Sequence, residues 1–368
     1  MKKFLLTLSL IILFTSGCAS SEEKAVNDDK PAISTETPAK VASATTGNYP
    51  KISELNLIIS STPAKYTYNN FVNDLDQLQK AYGTMIQVNK LCDTIDGRGV
   101  YDVVLGDPQG DNQILIFGAM HAREYITAQV VMRQLCDAID ALNNPQMTYN
   151  GMSINELLQG VTLHFVPINN PDGVTISQLG ANALQNPNVR SNVSAMMNGS
   201  YEQWKSNANG VDLNRNFDAG WQEFVGSGRP SSDRYKGTSP GSEPEAAALI
   251  KLTQDCKFKR TISYHTVGAL IYWYYKQEGT VLEESKKFAR RISNETGYPL
   301  DSDYTAVDAA GYKDWAVYKM GIPSLTIEVG DESNSWVDNP VPIKYWNGIW
   351  QRNKNVVYAT VYNLKYEK

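Results

Sequence analysis

Ile114-Leu115-Ile116-Phe117-Gly118-Ala119-Met120-His121-Ala122-Arg123-Glu124 decides the fold of this chain. Its first seven residues form an unbroken apolar run, as expected of a strand buried on both faces. Beyond Glu124, the residues Ile126, Val130, Ala138, Ile139 and Leu142 recur at helical spacing. The strand therefore runs over 114–120 and a helix over 125–142, with His121 and Glu124 at the junction. Positions three apart at a helical turn point to one side, so an imidazole and a carboxylate there can grip one cation.

The same alternation extends outward. Phe71, Leu75, Leu78 and Tyr82 make an amphipathic first helix. Strands are expected at Ile86–Val88, Tyr101–Leu105, 161–168, Thr261–Tyr264 and 324–329. The 161–168 strand ends in a turn cluster at Asn169-Asn170-Pro171-Asp172-Gly173. Helices are expected after Glu243-Pro244-Glu245, at 281–295 and 313–320, and as one last helix over about 341–363. The expectation is an α/β domain: a mixed, largely parallel central sheet with helices on both faces.

Composition fits a globular domain, with 42% hydrophobic and 20% charged residues. The net charge of −5 argues against a nucleic-acid partner. Lys2 and Lys3 precede an apolar stretch, Phe4 to Phe14, too short to span a bilayer, and then Thr15-Ser16-Gly17-Cys18. Small residues before a cysteine resemble a bacterial lipobox, although Thr15 stands where an aliphatic residue is usual. Residues 1–18 read as a signal segment of an exported protein, with a lipid on Cys18 holding it to the membrane; simple signal cleavage and secretion is the alternative. Residues 19–60 read as a flexible tether, poor in aromatic residues, and 61–368 as the folded domain. Cys92, Cys136 and Cys256 show no metal-ligand spacing and read as buried apolar residues, with a disulfide between two of them left open.

Three histidines are few enough to weigh singly. His265 closes the strand Thr261–Tyr264, and Glu328 lies in Ser324–Val329 on the face opposite Leu325, Ile327 and Val329. A carboxylate in such a run is costly to bury uncompensated. His121, Glu124, His265 and Glu328 thus all fall at carboxyl ends of strands, where open α/β sheets place ligand sites. Two histidines and a glutamate can hold zinc with one position open to water, and a further carboxylate can move protons. His164 sits within its strand without a partner at ligand spacing and reads as structural. Taken alone, each residue has a plainer reading: His265 as a core histidine, Glu328 as an ion-paired buried acid.

These residues resemble a zinc carboxypeptidase of the carboxypeptidase A type. The matching pieces, in order over 66–363, are His121-Ala-Arg-Glu124, Asn170-Pro-Asp-Gly173, GVDLNRNF at 210–217, Ser242–Glu245, His265, and Asp314-Trp315 leading to Thr326-Ile327-Glu328. The two-histidine, one-glutamate ligand set is the one carboxypeptidase A is known for, so it adds nothing independent of the resemblance. HTVGALIYW at 265–273, GYKDW at 311–315 and Asn339–Pro342 look most like bacterial γ-D-glutamyl-diamino acid peptidases.

The resemblance implies one zinc ion on His121, Glu124 and His265, with Glu328 as general base and then acid. It also implies Asp212 behind a metal-bound histidine, Asn214 and Arg215 on a substrate carboxylate, and Arg123 on substrate upstream of the cut. Lys205 replaces the arginine that the family places beside the oxyanion. Tyr304 stands for the family's mobile tyrosine, two residues farther upstream than the family's spacing. Lys313 occupies the position that selects the terminal side chain and is expected to favour a carboxylate there. The implied activity is hydrolysis of a peptide or muropeptide beside a diamino acid. A general metallocarboxypeptidase and a non-catalytic wall-binding lipoprotein are the alternatives; another divalent metal and the oligomeric state stay open.

Overall fold

Strands rich in apolar residues settle where both faces are covered. In the computed structural model, which describes residues 49–301, 309–330 and 339–367, four such strands lie side by side at the centre of a sheet. Two short 3-10 turns and helix α1 (Tyr68–Tyr82) lead to strands β1 (Ile86–Asp93), β2 (Gly99–Leu105) and β3 (Asn112–Phe117). Helix α2 (Ile126–Asn143), a small hairpin of β4 (Thr148–Tyr149) and β5 (Met152–Ser153), and α3 (Ile154–Leu158) precede β6 (Val161–Val166). Helices α4 (Pro171–Leu179), α5 (Pro187–Met196) and α6 (Pro244–Asp255) come before β7 (Phe258–Thr266) and β8 (Leu270–Tyr272). Then follow α7 (Gly279–Thr296), α8 (Tyr312–Tyr318), β9 (Ser324–Val329), α9 (Trp346–Asn353) and α10 (Val356–Tyr366).

The main sheet has the order β1-β2-β6-β3-β7-β9-β8. Its centre, β6-β3-β7-β9, is parallel; β1, β2 and β8 run antiparallel at the two sides. The sheet is therefore mixed with a parallel heart, as expected. Opposed residues in register share a face, which assigns the helices. Leu115 and Phe117 pack with Leu249 of α6 and Trp315 of α8, and Tyr312 meets Phe117 edge-on at 4.8 Å. Phe117 opposes Ser263, so Tyr264 points to the other face, where its hydroxyl meets Gln134 Nε2 of α2 at 2.7 Å. Register then carries the site: His265 of β7 stands directly opposite Glu328 of β9.

Four expectations need correction. The folded part begins before residue 61: Leu57 and Ile59 are buried, Ile58 and Ile59 donate backbone N–H bonds to Asp74, and Ile52 donates to Asp140. Packing of those apolar side chains and the backbone bonds to Asp74 and Asp140 hold the segment to the domain. The signal segment, Cys18 and the tether up to residue 48 lie outside the described residues. The turn cluster at 169–173 instead starts α4: Asn170 caps it by accepting the Gly173 N–H at 2.9 Å, and Pro171 takes the first helical position, where no N–H is needed. The strand expected over 114–120 stops at Phe117, and Ala119 takes φ +48°. Finally, the expected last helix is broken at Lys354–Asn355 into α9 and α10. At the break, Asn353 Nδ2 donates to Ile349 O four residues back at 2.8 Å, a local side-chain bond that competes with the helix's own backbone bonding.

Candidate metal centre and active-site cleft

The chain leaves β3 through a bend that aims the first two ligand candidates. The Ala119 N–H is held by Thr127 Oγ1 at 2.7 Å, which fixes a backbone conformation that alanine rarely adopts. Such local strain persists only where its surroundings enforce it. The following turn brings His121 Nδ1 to 2.9 Å from Glu124 Oε1. From the end of β7, His265 Nδ1 lies 3.0 Å from Glu124 Oε2 and 3.0 Å from His121 Nδ1. All three side chains are buried.

Two imidazole nitrogens and a carboxylate facing one point make a donor set suited to zinc. On the far side of its ring, His121 Nε2 sits 3.1 Å from Asp212 Oδ1. A carboxylate there favours the proton on Nε2 and leaves the Nδ1 lone pair aimed at the shared point. The nearly touching Nδ1 atoms of His121 and His265 are then reconciled by a common cation. Burial by itself raises the Glu124 pKa, yet the two histidines beside it hold the carboxyl well below its usual range. Among the described residues, this is the one group of three such side chains able to hold a metal ion.

The cluster opens into a cleft of about 720 Å³. Glu328 lines it, half-buried on β9, and its Oε2 is buried with no hydrogen-bond partner among the described residues. Burial pushes Glu328 up from 4.5 to about 7; His265 pulls it down, Glu124 pushes it up, and Lys205 and Arg215 pull it down. Asp212 is fully buried, which raises its pKa, but Lys205 and His121 hold it well below the carboxylate range. Lys205 Nζ lies 3.2 Å from Asp212 Oδ2 and lines the cleft, tying this lysine to the carboxylate behind His121.

The remaining expected residues gather here as well. Asn214 and Arg215 sit in a 3-10 turn begun by Asp212, whose Oδ1 takes the Asn214 N–H. Asn214 Oδ1 accepts the Tyr312 N–H at 3.0 Å, and the Arg215 guanidinium lies 5.0 Å over the Phe224 ring. Arg123 lines the same wall and donates to Gln203 O. Lys313 also lines the cleft, but not as a lone cation: its Nζ is 2.6 Å from Asp314 Oδ1 and donates to Tyr274 O at 2.8 Å. Asp314 thus stands against the charge on which the expected preference for a carboxylate was based. Tyr304 lies outside the described residues. His164 sits apart, with Nδ1 on Asp102 and Nε2 on Gln113.

Sequence reasoning missed Glu223, Tyr274, Tyr275 and the charge-bearing side of Asp314, all of which line the cleft. It also missed the Thr266 N–H, which steadies Glu124 Oε2 at 3.2 Å. The aromatic pair stands just past β8, a strand too short for its pattern to announce.

Comparison with known proteins agrees with this geometry. The family model described as zinc carboxypeptidase matches residues 71–355. The γ-D-glutamyl-L-diamino acid endopeptidase 1 of Lysinibacillus sphaericus is 33% identical over 303 residues, covering 81% of this chain and 72% of that protein. Carboxypeptidase B of Astacus astacus is 25% identical, over 71% of this chain and 84% of its own length. The carboxypeptidase A structure from Helicoverpa armigera superposes with a TM-score of 0.65 at 17% identity, over 86% of this chain and 78% of that one, a likeness of fold. With its His/Glu/His site and these relatives, the chain belongs to the zinc carboxypeptidase family of peptide hydrolases, whose cofactor is zinc.

Proposed function

We propose that this is an exported, lipid-anchored peptidase that hydrolyses amide bonds of peptidoglycan stem peptides beside a diamino acid. The observation that carries hydrolysis is Glu328, a half-buried carboxylate whose Oε2 is buried and has no hydrogen-bond partner among the described residues, opposite His265 across β7 and β9 beside the His121–Glu124 pair. The substrate class is supported by the 33% identical relative, whose name states γ-D-glutamyl-diamino acid cleavage. Export and anchoring rest on the amino-terminal segment ending at Cys18.

In this reading His121, Glu124 and His265 hold zinc, which when bound polarises a carbonyl and makes water a stronger nucleophile. Glu328 takes a proton from the attacking water and returns it to the leaving amine; a pKa near neutrality suits a group that must do both. Asp212 fixes the His121 ring, and Lys205 offers positive charge to the tetrahedral oxyanion. Arg215 and Asn214 hold a substrate carboxylate, and Arg123 contacts the chain upstream of the cut. Tyr304 completes the set as a substrate contact.

Mass spectrometry of purified muropeptides, digested with and without a chelator, tests this. The expected result is loss of the bond preceding the diamino acid, abolished by chelation and restored by zinc. Intact muropeptides alongside trimming of ordinary peptides from their carboxyl ends would overturn it. Replacing Cys18 with serine is expected to release the protein from the membrane fraction; retention there would refute lipid anchoring.

A further inference from the structure

Asn170-Pro171-Asp172-Gly173 does more than start α4, because three loops meet at it. Asn170 is buried, and its amide gives both hydrogens to carbonyls of two different loops: Nδ2 donates to Met120 O at 3.0 Å and to Ser206 O at 3.2 Å. Its Oδ1 takes the Gly173 N–H at 2.9 Å. Two carbonyls and one N–H as neighbours permit one orientation of the amide. Met120 immediately precedes the ligand His121, and Ser206 immediately follows Lys205. The backbone repeats the link: the Asn170 N–H donates to Ala119 O at 3.1 Å, and the Ala122 N–H to Lys205 O at 2.9 Å.

The rest of the stretch holds that amide in place. Asp172 Oδ1 accepts from Arg98 Nη1 at 2.9 Å and its Oδ2 accepts the Asp96 N–H at 3.0 Å, so the turn between β1 and β2 is tied to the first turn of α4. Gly173 leaves the room: a Cβ there would lie 2.5 Å from the Asn170 amide and 2.6 Å from Ser206 O, too close for any side chain. Capping alone does not explain the choice of residue. Asn, Asp and Ser start helices about equally well, each by accepting a backbone N–H. Only the amide accepts that bond and also donates two. An aspartate would set a carboxylate oxygen against two carbonyls, and a serine hydroxyl has a single hydrogen to give.

We propose that Asn170 is a positioning residue: it holds the turn of His121 and Glu124 and the loop of Lys205 at one spacing, so that the metal site and the lysine charge act on the same substrate carbonyl. This rests on the roles given above to those residues.

The test compares Asn170→Ser and Asn170→Asp with the native full-length protein. Both variants keep an acceptor for the Gly173 N–H. Zinc affinity, read by competition with a chromophoric chelator, is expected to fall about tenfold in each. With zinc in excess, kcat on purified muropeptides is expected to fall about tenfold with KM little changed. The two effects part in a Lys205→Met background. There Asn170→Ser is expected still to weaken zinc but to change kcat by less than about twofold, because the group it positions is gone. Zinc affinity and kcat within about twofold of native in Asn170→Ser, at a temperature where circular dichroism shows it folded, would reduce Asn170 to a helix cap and overturn the inference. A full additive loss of kcat in the Lys205→Met background would overturn it too, as would an Asn170→Ser protein that does not fold. Lys205→Met that by itself leaves kcat unchanged would instead overturn the role given to Lys205 above, with the zinc loss in Asn170→Ser deciding whether Asn170 fixes the His121 turn.

Discussion

Glu245 is the acid whose titration the structure prices most openly in terms of stability. It lies in the first turn of α6, fully buried, with Asn207 Nδ2 3.2 Å from its Oε2 and no partner for Oε1 among the described residues. Burial, followed by the neighbouring carboxylates of Asp172 and Glu243, lifts it from 4.5 to about 8, against the opposing hydrogen bonds. Asn207 also bonds Glu243, and it belongs to the loop that carries Lys205 into the cleft and Asp212 to the back of His121. Because the folded form holds its proton more tightly than the unfolded one, this group's contribution is fully present below pH 4.5 and is lost as pH rises to about 8. At about 1.4 kcal/mol for each pH unit, the whole loss is about 5 kcal/mol, of which about 3 kcal/mol falls between pH 5.5 and 8.5. Glu245→Gln has the shape of the neutral acid and cannot ionise. Urea denaturation of the zinc-loaded protein at both pH values should show the variant gaining about 3 kcal/mol on the native protein from the lower to the higher pH. Parallel pH profiles for the two would refute the burial argument, because other titrating groups are common to both.

Other outcomes follow from the site and its frame. Asp212→Asn removes the anion behind His121 and is expected to weaken zinc roughly 10–100-fold in competition with a chromophoric chelator; unchanged affinity would deny Asp212 that orienting role. Lys205→Met should lower kcat by roughly 100-fold, with Lys205→Arg restoring most of it, and a loss confined to KM would contradict an action on the oxyanion. Since Glu328 must be ionised to accept a proton, kcat/KM should rise with pH along an acid limb at or below about 7; a limb above 8 would exclude it as the base. Removing residues 1–48 should leave stability unchanged, whereas Ile59→Ala should cost roughly 2–5 kcal/mol in urea denaturation; a negligible cost would return residues 52–61 to the tether.

The fold was legible where chemistry and packing demanded one pattern. Residues 114–117, 261–264 and 324–329 must be buried on both faces, so their apolar content identified the parallel centre, and their carboxyl ends located the metal candidates. The edges were less legible. Strand β8 spans Leu270–Tyr272, too short for periodicity to speak, and the turn residues at 169–173 serve equally well as a helix cap. Residues 52–61 escaped because they form only two short 3-10 turns, too brief for periodicity to speak, and only the partners Asp74 and Asp140 reveal their place. At the site, residue types gave the ligands, but not their neighbours' state of charge. Lys313 read alone is a cation; its neutralisation by the next residue depends on how the start of α8 turns both side chains into one wall.

Glu328→Gln separates holding the metal from using it. The account predicts that the purified variant, measured by elemental analysis and muropeptide digestion on the same sample, retains one zinc per chain and loses hydrolysis by several orders of magnitude. A variant that cleaves at the native rate would contradict the assignment of Glu328, and one that keeps no zinc would show that this carboxylate serves the metal rather than the proton.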